Sequence, residues 1–133
     1  MAEIQAKLQA LSEDFQKLQQ ELATIVASRQ KLEAQKQENA GVQAEFGKLK
    51  SDETIYKLVG PVLLKQERIE AESTVKGRLE FISKEIDRLE KQIKETQDKI
   101  EKKKTEIIQV QTSAQAASQG GAPPATGTGA VKA

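Results

Sequence analysis

Few of the side chains that usually carry chemistry are present. The 133 residues include no Cys and no His, which removes thiol nucleophiles, disulfides, zinc–thiolate sites and the commonest general base and metal ligand. Carboxylates are abundant, with 20 Asp and Glu against 21 Lys and Arg, but they alternate with Lys along stretches that read as helix surface. An acid–base pair needs burial or a cleft to shift its pKa, and such a surface supplies neither. No Walker-type phosphate loop occurs; Gly120, Gly121 and Gly127 precede no helical pattern. The run Lys102-Lys103-Lys104 is flanked by Glu101 and Glu106 and reads as a solvated helix face. A net charge of +1 offers no field to draw a phosphate backbone. The chain is therefore expected to be no enzyme, to need no cofactor or metal, and to bind no nucleic acid.

What remains is recognition by apolar surface, and the elements that carry it are legible. Apolar residues at Ile4, Leu8, Leu11, Phe15, Leu18, Leu22, Ile25 and Leu32 step mostly by four and three. That is a seven-residue repeat, one narrow stripe along a helix. Arg29, Lys36 and Asn39 interrupt it, and Val42, Phe46 and Leu49 resume it with a shifted phase. The pattern predicts a helix over 4–50, roughly 70 Å long. A second helix is predicted over 68–117, on the stripe Val75, Leu79, Ile82, Ile86, Leu89, Ile93, Ile100, Ile107 and Val110, with Thr96 and Lys103 in frame. The polar residues in both stripes are read as register-setting seam positions. Gly77 weakens the second helix locally. Between the helices, Thr54–Val59 and Val62–Gln66 are β-rich runs around Gly60-Pro61, a hairpin signal over 54–66 whose turn type is left open. Residues 118–133, rich in Gly, Ala and Pro, read as a disordered tail, so the ordered domain spans 1–117.

Two helices of similar length joined by a short connection pack most simply as an antiparallel coiled coil, a mostly α fold. Two registers satisfy the stripes. One faces Phe15 with Val110 and Ile25 with Ile100; the other faces Leu11 with Ile107 and Ile25 with Ile93. The hairpin has Ile55, Leu58, Val59, Val62, Leu63 and Leu64, and strand side chains alternate, so apolar residues fall on both faces. A lone hairpin is marginal in water, two helices cannot cover both faces, and the strand edges present unpaired backbone groups. Hairpins from several chains are therefore expected to join in an intermolecular sheet or β-barrel, with Tyr56 included in the interface.

The order helix, hairpin with Tyr56-Lys57-Leu58-Val59-Gly60-Pro61-Val62-Leu63, helix resembles a β-type prefoldin subunit. The stretches Ser28–Gln35 and Thr74–Leu79 look like the eukaryotic subunit-six branch of that family. The likeness covers about residues 1–117. It implies a heterohexamer with two α-type and three other β-type subunits, hairpins assembled as a double β-barrel platform, and coiled-coil arms whose tips hold non-native proteins such as actin and tubulin. The clients would pass to the cytosolic chaperonin without ATP. On that resemblance the client-binding candidates are Ile4, Leu8, Leu11 and Phe15 on the first helix, with Ile107, Ile108 and Val110 on the second. Ile108 stands out because it is apolar but off the stripe.

No stretch of 18 apolar residues and no signal-peptide pattern occurs, so no membrane partner is expected and the location is expected to be cytoplasmic. Two other readings compete. A structural adaptor or tether would share the helices but has no use for a barrel-forming segment in mid-chain. A helical arm of a nucleic-acid enzyme conflicts with the near-neutral charge.

Overall fold

The computed structural model describes residues 1–119. Its elements are α1 (Ala2–Lys48), β1 (Ile55–Val59), β2 (Val62–Gln66) and α2 (Arg68–Ser118). α1 starts two residues earlier and stops two earlier than the heptads suggest. α2 runs unbroken through Gly77 and on to Ser118. Residues 120–133, nearly all of the expected tail, lie outside the described residues.

The helices form where Ala, Gln, Glu, Lys and Leu dominate, residues that lose little side-chain entropy in a helix. Burial follows the seven-residue repeat closely. Leu11 and Phe46 are buried on α1; Ala71, Val75, Ile82, Ile86 and Leu89 are buried on α2. The expected shift of phase late in α1 is found only at Leu49, which is half-buried one residue past the helix and packs against Phe46, Ala71 and Val75. Phe46 lies seven residues after the half-buried Asn39 and continues the stripe, whereas Val42 is exposed. An in-frame polar residue keeps the seam if its head reaches out of it, which a sequence pattern counted only on apolar residues reads as a break.

β1 and β2 pair antiparallel, from Ile55 with Gln66 to Val59 with Val62. The two-residue connection is Gly60-Pro61, with φ of +60° at Gly60 and no positive φ at any other residue described. A left-handed first position followed by a residue with ordinary φ is the pattern of a type II′ turn, whose twist suits a hairpin. Glycine supplies the first position and the proline ring the second.

The described residues divide into two compact units, Thr24–Ile93 and Met1–Ala23 with 94–119. The first, the hairpin unit, contains the cluster of Phe46, Ala71 and Val75, with Leu49, Ile55 and Leu79 packed against it. In it the helices run antiparallel, and Arg29 pairs with Glu90 at 3.0 Å. In the second, the terminal unit, Lys103 pairs with Asp14 at 3.7 Å. These pairs select the register that sets Leu11 against Ile107 and Ile25 against Ile93. The other register would set Arg29 beside Thr96 and Asp14 beside Gln111.

Candidate functional site

Most of the exposed large apolar side chains among the described residues lie in the hairpin. Of its apolar residues only Ile55 is half-buried, against the Phe46–Ala71–Val75 cluster. Tyr56, Leu58, Val59, Val62, Leu63 and Leu64 are all exposed, Leu58 by 68%. Alternation and the pairing register sort them. Ile55, Val59, Val62 and Leu64 share one face with Lys57 and Gln66; Tyr56, Leu58 and Leu63 share the other with Lys65. In a two-residue hairpin the pair next to the turn is hydrogen-bonded and the pairs then alternate. Leu58, Leu63, Tyr56 and Lys65 thus turn their N–H and C=O groups outward along the two edges. The same four residues supply one open face and both open edges.

Burying six half-covered side chains releases about 1 kcal/mol each, roughly 6 kcal/mol in all. That is comparable to the ~4–15 kcal/mol lost on association. Apolar burial alone is therefore too little to hold a partner firmly, and backbone pairing along the edges is the natural complement.

One residue that the sequence patterns did not single out holds the base of the hairpin. Arg68, the first residue of α2, donates from Nη2 to the Phe46 carbonyl at 2.6 Å and from Nη1 to the Leu49 carbonyl at 3.2 Å. Its Nε donates to Glu72 at 2.8 Å. The guanidinium thereby gives the Phe46 carbonyl, which also accepts from the Leu49 N–H at 3.2 Å, a second donor, and supplies a partner to the Leu49 carbonyl just past the end of α1. A cation at a helix N-terminus opposes the macrodipole; that misplaced charge is the signal that Arg68 serves another group.

In the terminal unit the seven expected client-binding residues take three positions. Leu11 is buried; Ile4, Leu8, Phe15, Ile107 and Val110 are half-buried seam residues; Ile108 is 58% exposed. Lys103, in frame with the stripe, carries its ammonium out to Asp14 and to Glu106 at 3.4 Å. Lys104 meets Glu101 at 3.5 Å, so two cations of the Lys102-Lys103-Lys104 run sit beside carboxylates. A shallow groove beside this seam is walled by Lys17, Lys99, Lys102 and Glu21 over Leu18. Thr96 is buried, the one polar residue so placed among those described.

The exposed pair Glu85–Arg88 makes two contacts, 2.7 and 3.3 Å. The hydrogen bond holds the Glu85 carboxyl below its usual range and raises the Arg88 guanidinium. Among the described residues no group of three or more acidic, Cys or His side chains is placed to hold a metal. None of the described helices is long and apolar enough to cross a membrane.

Comparison with known proteins gives a consistent picture. A family model described as prefoldin subunit matches residues 9–114. Prefoldin subunit 6 of Saccharomyces cerevisiae is 46% identical over 104 residues, which is 78% of this chain and 91% of that protein. Prefoldin subunit 6 of Homo sapiens is 43% identical over 126 residues, covering 92% and 98% respectively. The crystal structure of the prefoldin beta subunit from Thermococcus strain KS-1 superposes with a TM-score of 0.71 at 26% identity, covering 76% of this chain and 89% of that one. The beta2 subunit from the same strain gives 0.60 at 27% identity, covering 68% and 97%.

Proposed function

The chain belongs to the prefoldin family as a β-type subunit, and from that premise we propose that it works as one of six coiled-coil subunits in a cytosolic co-chaperone. It joins two α-type and three other β-type subunits through Ile55, Tyr56, Leu58, Val59, Val62, Leu63 and Leu64. The complex captures non-native proteins such as actin and tubulin without ATP and passes them to the cytosolic chaperonin.

The observation that carries most weight is the hairpin: six large apolar side chains exposed on its two faces, with backbone groups open on both edges. A segment of that kind is unstable by itself in water and is completed by more strands. A tether would have no such need.

Client capture is assigned to the terminal unit, at Ile4, Leu8, Leu11, Phe15, Ile107, Ile108 and Val110. A holdase must cover apolar client segments reversibly without binding itself. Ile108 is already exposed, whereas the seam residues become available only when the last turns fray, as chain ends do. Ile108 is therefore the first contact and the seam residues a reserve.

The test is to express the tagged chain in eukaryotic cytosol and measure the native mass and composition of what co-purifies. Five other small coiled-coil chains in one complex support assembly; a homodimer or one large unrelated partner removes it. Suppression of actin aggregation without nucleotide by the complex then tests client capture separately.

A further inference from the structure

Two grooves meet along one flank of the hairpin unit. One is lined by Gln35, Asn39, Gly77, Arg78 and Phe81; the next adds Val42, Thr74 and Tyr56, and Arg78 belongs to both. Phe81, in the first groove, is 64% exposed, and Val42 and Tyr56, in the second, are exposed as well. None of the three serves the helix seam. Arg78 makes no ion pair within 4.0 Å among the described residues. At Gly77 an added Cβ would meet nothing within 4 Å. A glycine inside a helix is less favourable than nearly any other residue, and here no close packing within the chain requires it. Its missing side chain leaves room in the groove instead.

We infer that this flank seats a neighbouring subunit of the complex, which lays an apolar side chain against Phe81 in the space left by Gly77 and a carboxylate against Arg78, where the two grooves meet. The inference rests on the assembly function proposed above and adds to it a second contact, one that chooses the neighbour. Three observations favour a subunit over a client. Tyr56 belongs both to the groove and to the hairpin, so the groove continues the assembly surface. The Arg78 guanidinium beside the amides of Gln35 and Asn39, with Lys57 in the adjoining groove, rewards an acidic partner, whereas a holdase surface must tolerate many chemistries. The chain also displays the complementary kind of feature elsewhere: Ile69, 80% exposed, has Glu67 and Glu70 close by in sequence and lines a separate groove near Ser51 and Lys65. A groove on one face and an apolar–acidic projection on another let related subunits join head to tail. Open edges of the hairpin pair with any strand, so backbone pairing alone does not order six different chains; a side-chain contact of this type does.

The experiment uses the co-purified complex. Photoreactive p-benzoyl-phenylalanine replaces Phe81, the complex is irradiated, and the cross-linked chain is identified by mass spectrometry. One particular subunit is expected to take the cross-link. Arg78→Glu and Gly77→Leu are each expected to lower recovery of the intact complex about tenfold, while the helical content of the purified chain is unchanged for the first and raised for the second. Gain of helix with loss of assembly separates docking from folding. Cross-links to added unfolded actin alone, no cross-link at all, or full recovery with both variants would each overturn the inference while leaving assembly through the hairpin intact. Failure of the unaltered chain to enter any complex would remove both.

Discussion

Arg68 shows how much one side chain can decide. From the first turn of α2 its fork reaches the carbonyls of Phe46, near the end of α1, and Leu49, just past it, tying together the base of the hairpin. Arg68→Ala is expected to cost about 1–3 kcal/mol, the range for hydrogen bonds to a charged group, read as a lower midpoint in chemical denaturation; Arg68→Lys should recover little of it, because a point charge cannot span both carbonyls. Thr96 works in the opposite direction. It is buried in the seam with no hydrogen bond from its hydroxyl among the described residues. Thr96→Val removes a buried hydroxyl of about the same shape and is expected to stabilise by about 1 kcal/mol, seen as a higher melting temperature. Glu85 illustrates a weak pair. Its carboxyl is held below the usual range by Arg88, so whatever the pair contributes is present at neutral pH and fades as pH falls through that lowered value. Both partners lie in solvent, and Arg88→Gln should leave the neutral-pH melting curve unmoved.

At the scale of elements, the hairpin depends on its turn. Gly60 at φ +60° occupies a conformation that places a Cβ against the following peptide. Gly60→Ala is expected to destabilise the hairpin by about 1–2 kcal/mol and so to weaken assembly, measurable as a shift from complex to free chain in native mass spectrometry, while helical content is retained. The helices respond differently. Their seam tolerates in-frame polar residues because long side chains lift their charges out of it, as Lys103 does toward Asp14 and Glu106. Such residues lower stability but disfavour sliding by one turn, since a slipped register would strand the same charges against apolar neighbours.

For the whole molecule the prediction concerns work done without nucleotide. Ile108→Glu alters an exposed position and should leave assembly untouched while reducing suppression of actin aggregation by the complex several-fold. Equal suppression by variant and unaltered complexes would move client capture away from Ile108. The paired hairpin substitutions Leu58→Asp and Leu63→Asp, opposite one another in the register, are expected to do the reverse. They should abolish complex formation in size-exclusion chromatography while the helices persist by circular dichroism, because like charges facing each other across strands cannot be buried in a shared sheet.

Much of this was legible in the residues alone. A helix stripe and a strand alternation are local periodicities of 3.5 and 2, written directly into the order of apolar side chains, so both helices, the hairpin between them and its excess of uncovered apolar surface could be read without a structure. The hairpin bounds needed only Gly60-Pro61 and the β-rich runs on either side. The coiled-coil register was not legible, because two alignments bury the same kinds of apolar pair and differ only in which charges meet. Asp14 with Lys103 and Arg29 with Glu90 are separated by 60 residues or more, and each is a favourable pair only once the helices are laid side by side. Arg68 likewise serves carbonyls about twenty residues back. The groove at Phe81 exists only where α1 lends Gln35 and Asn39 to α2, and its neighbour only where α1 lends Val42 and β1 lends Tyr56. Periodic burial is a property of one segment, whereas register, capping across elements and grooves are properties of pairs, and pairs are decided by the tertiary structure.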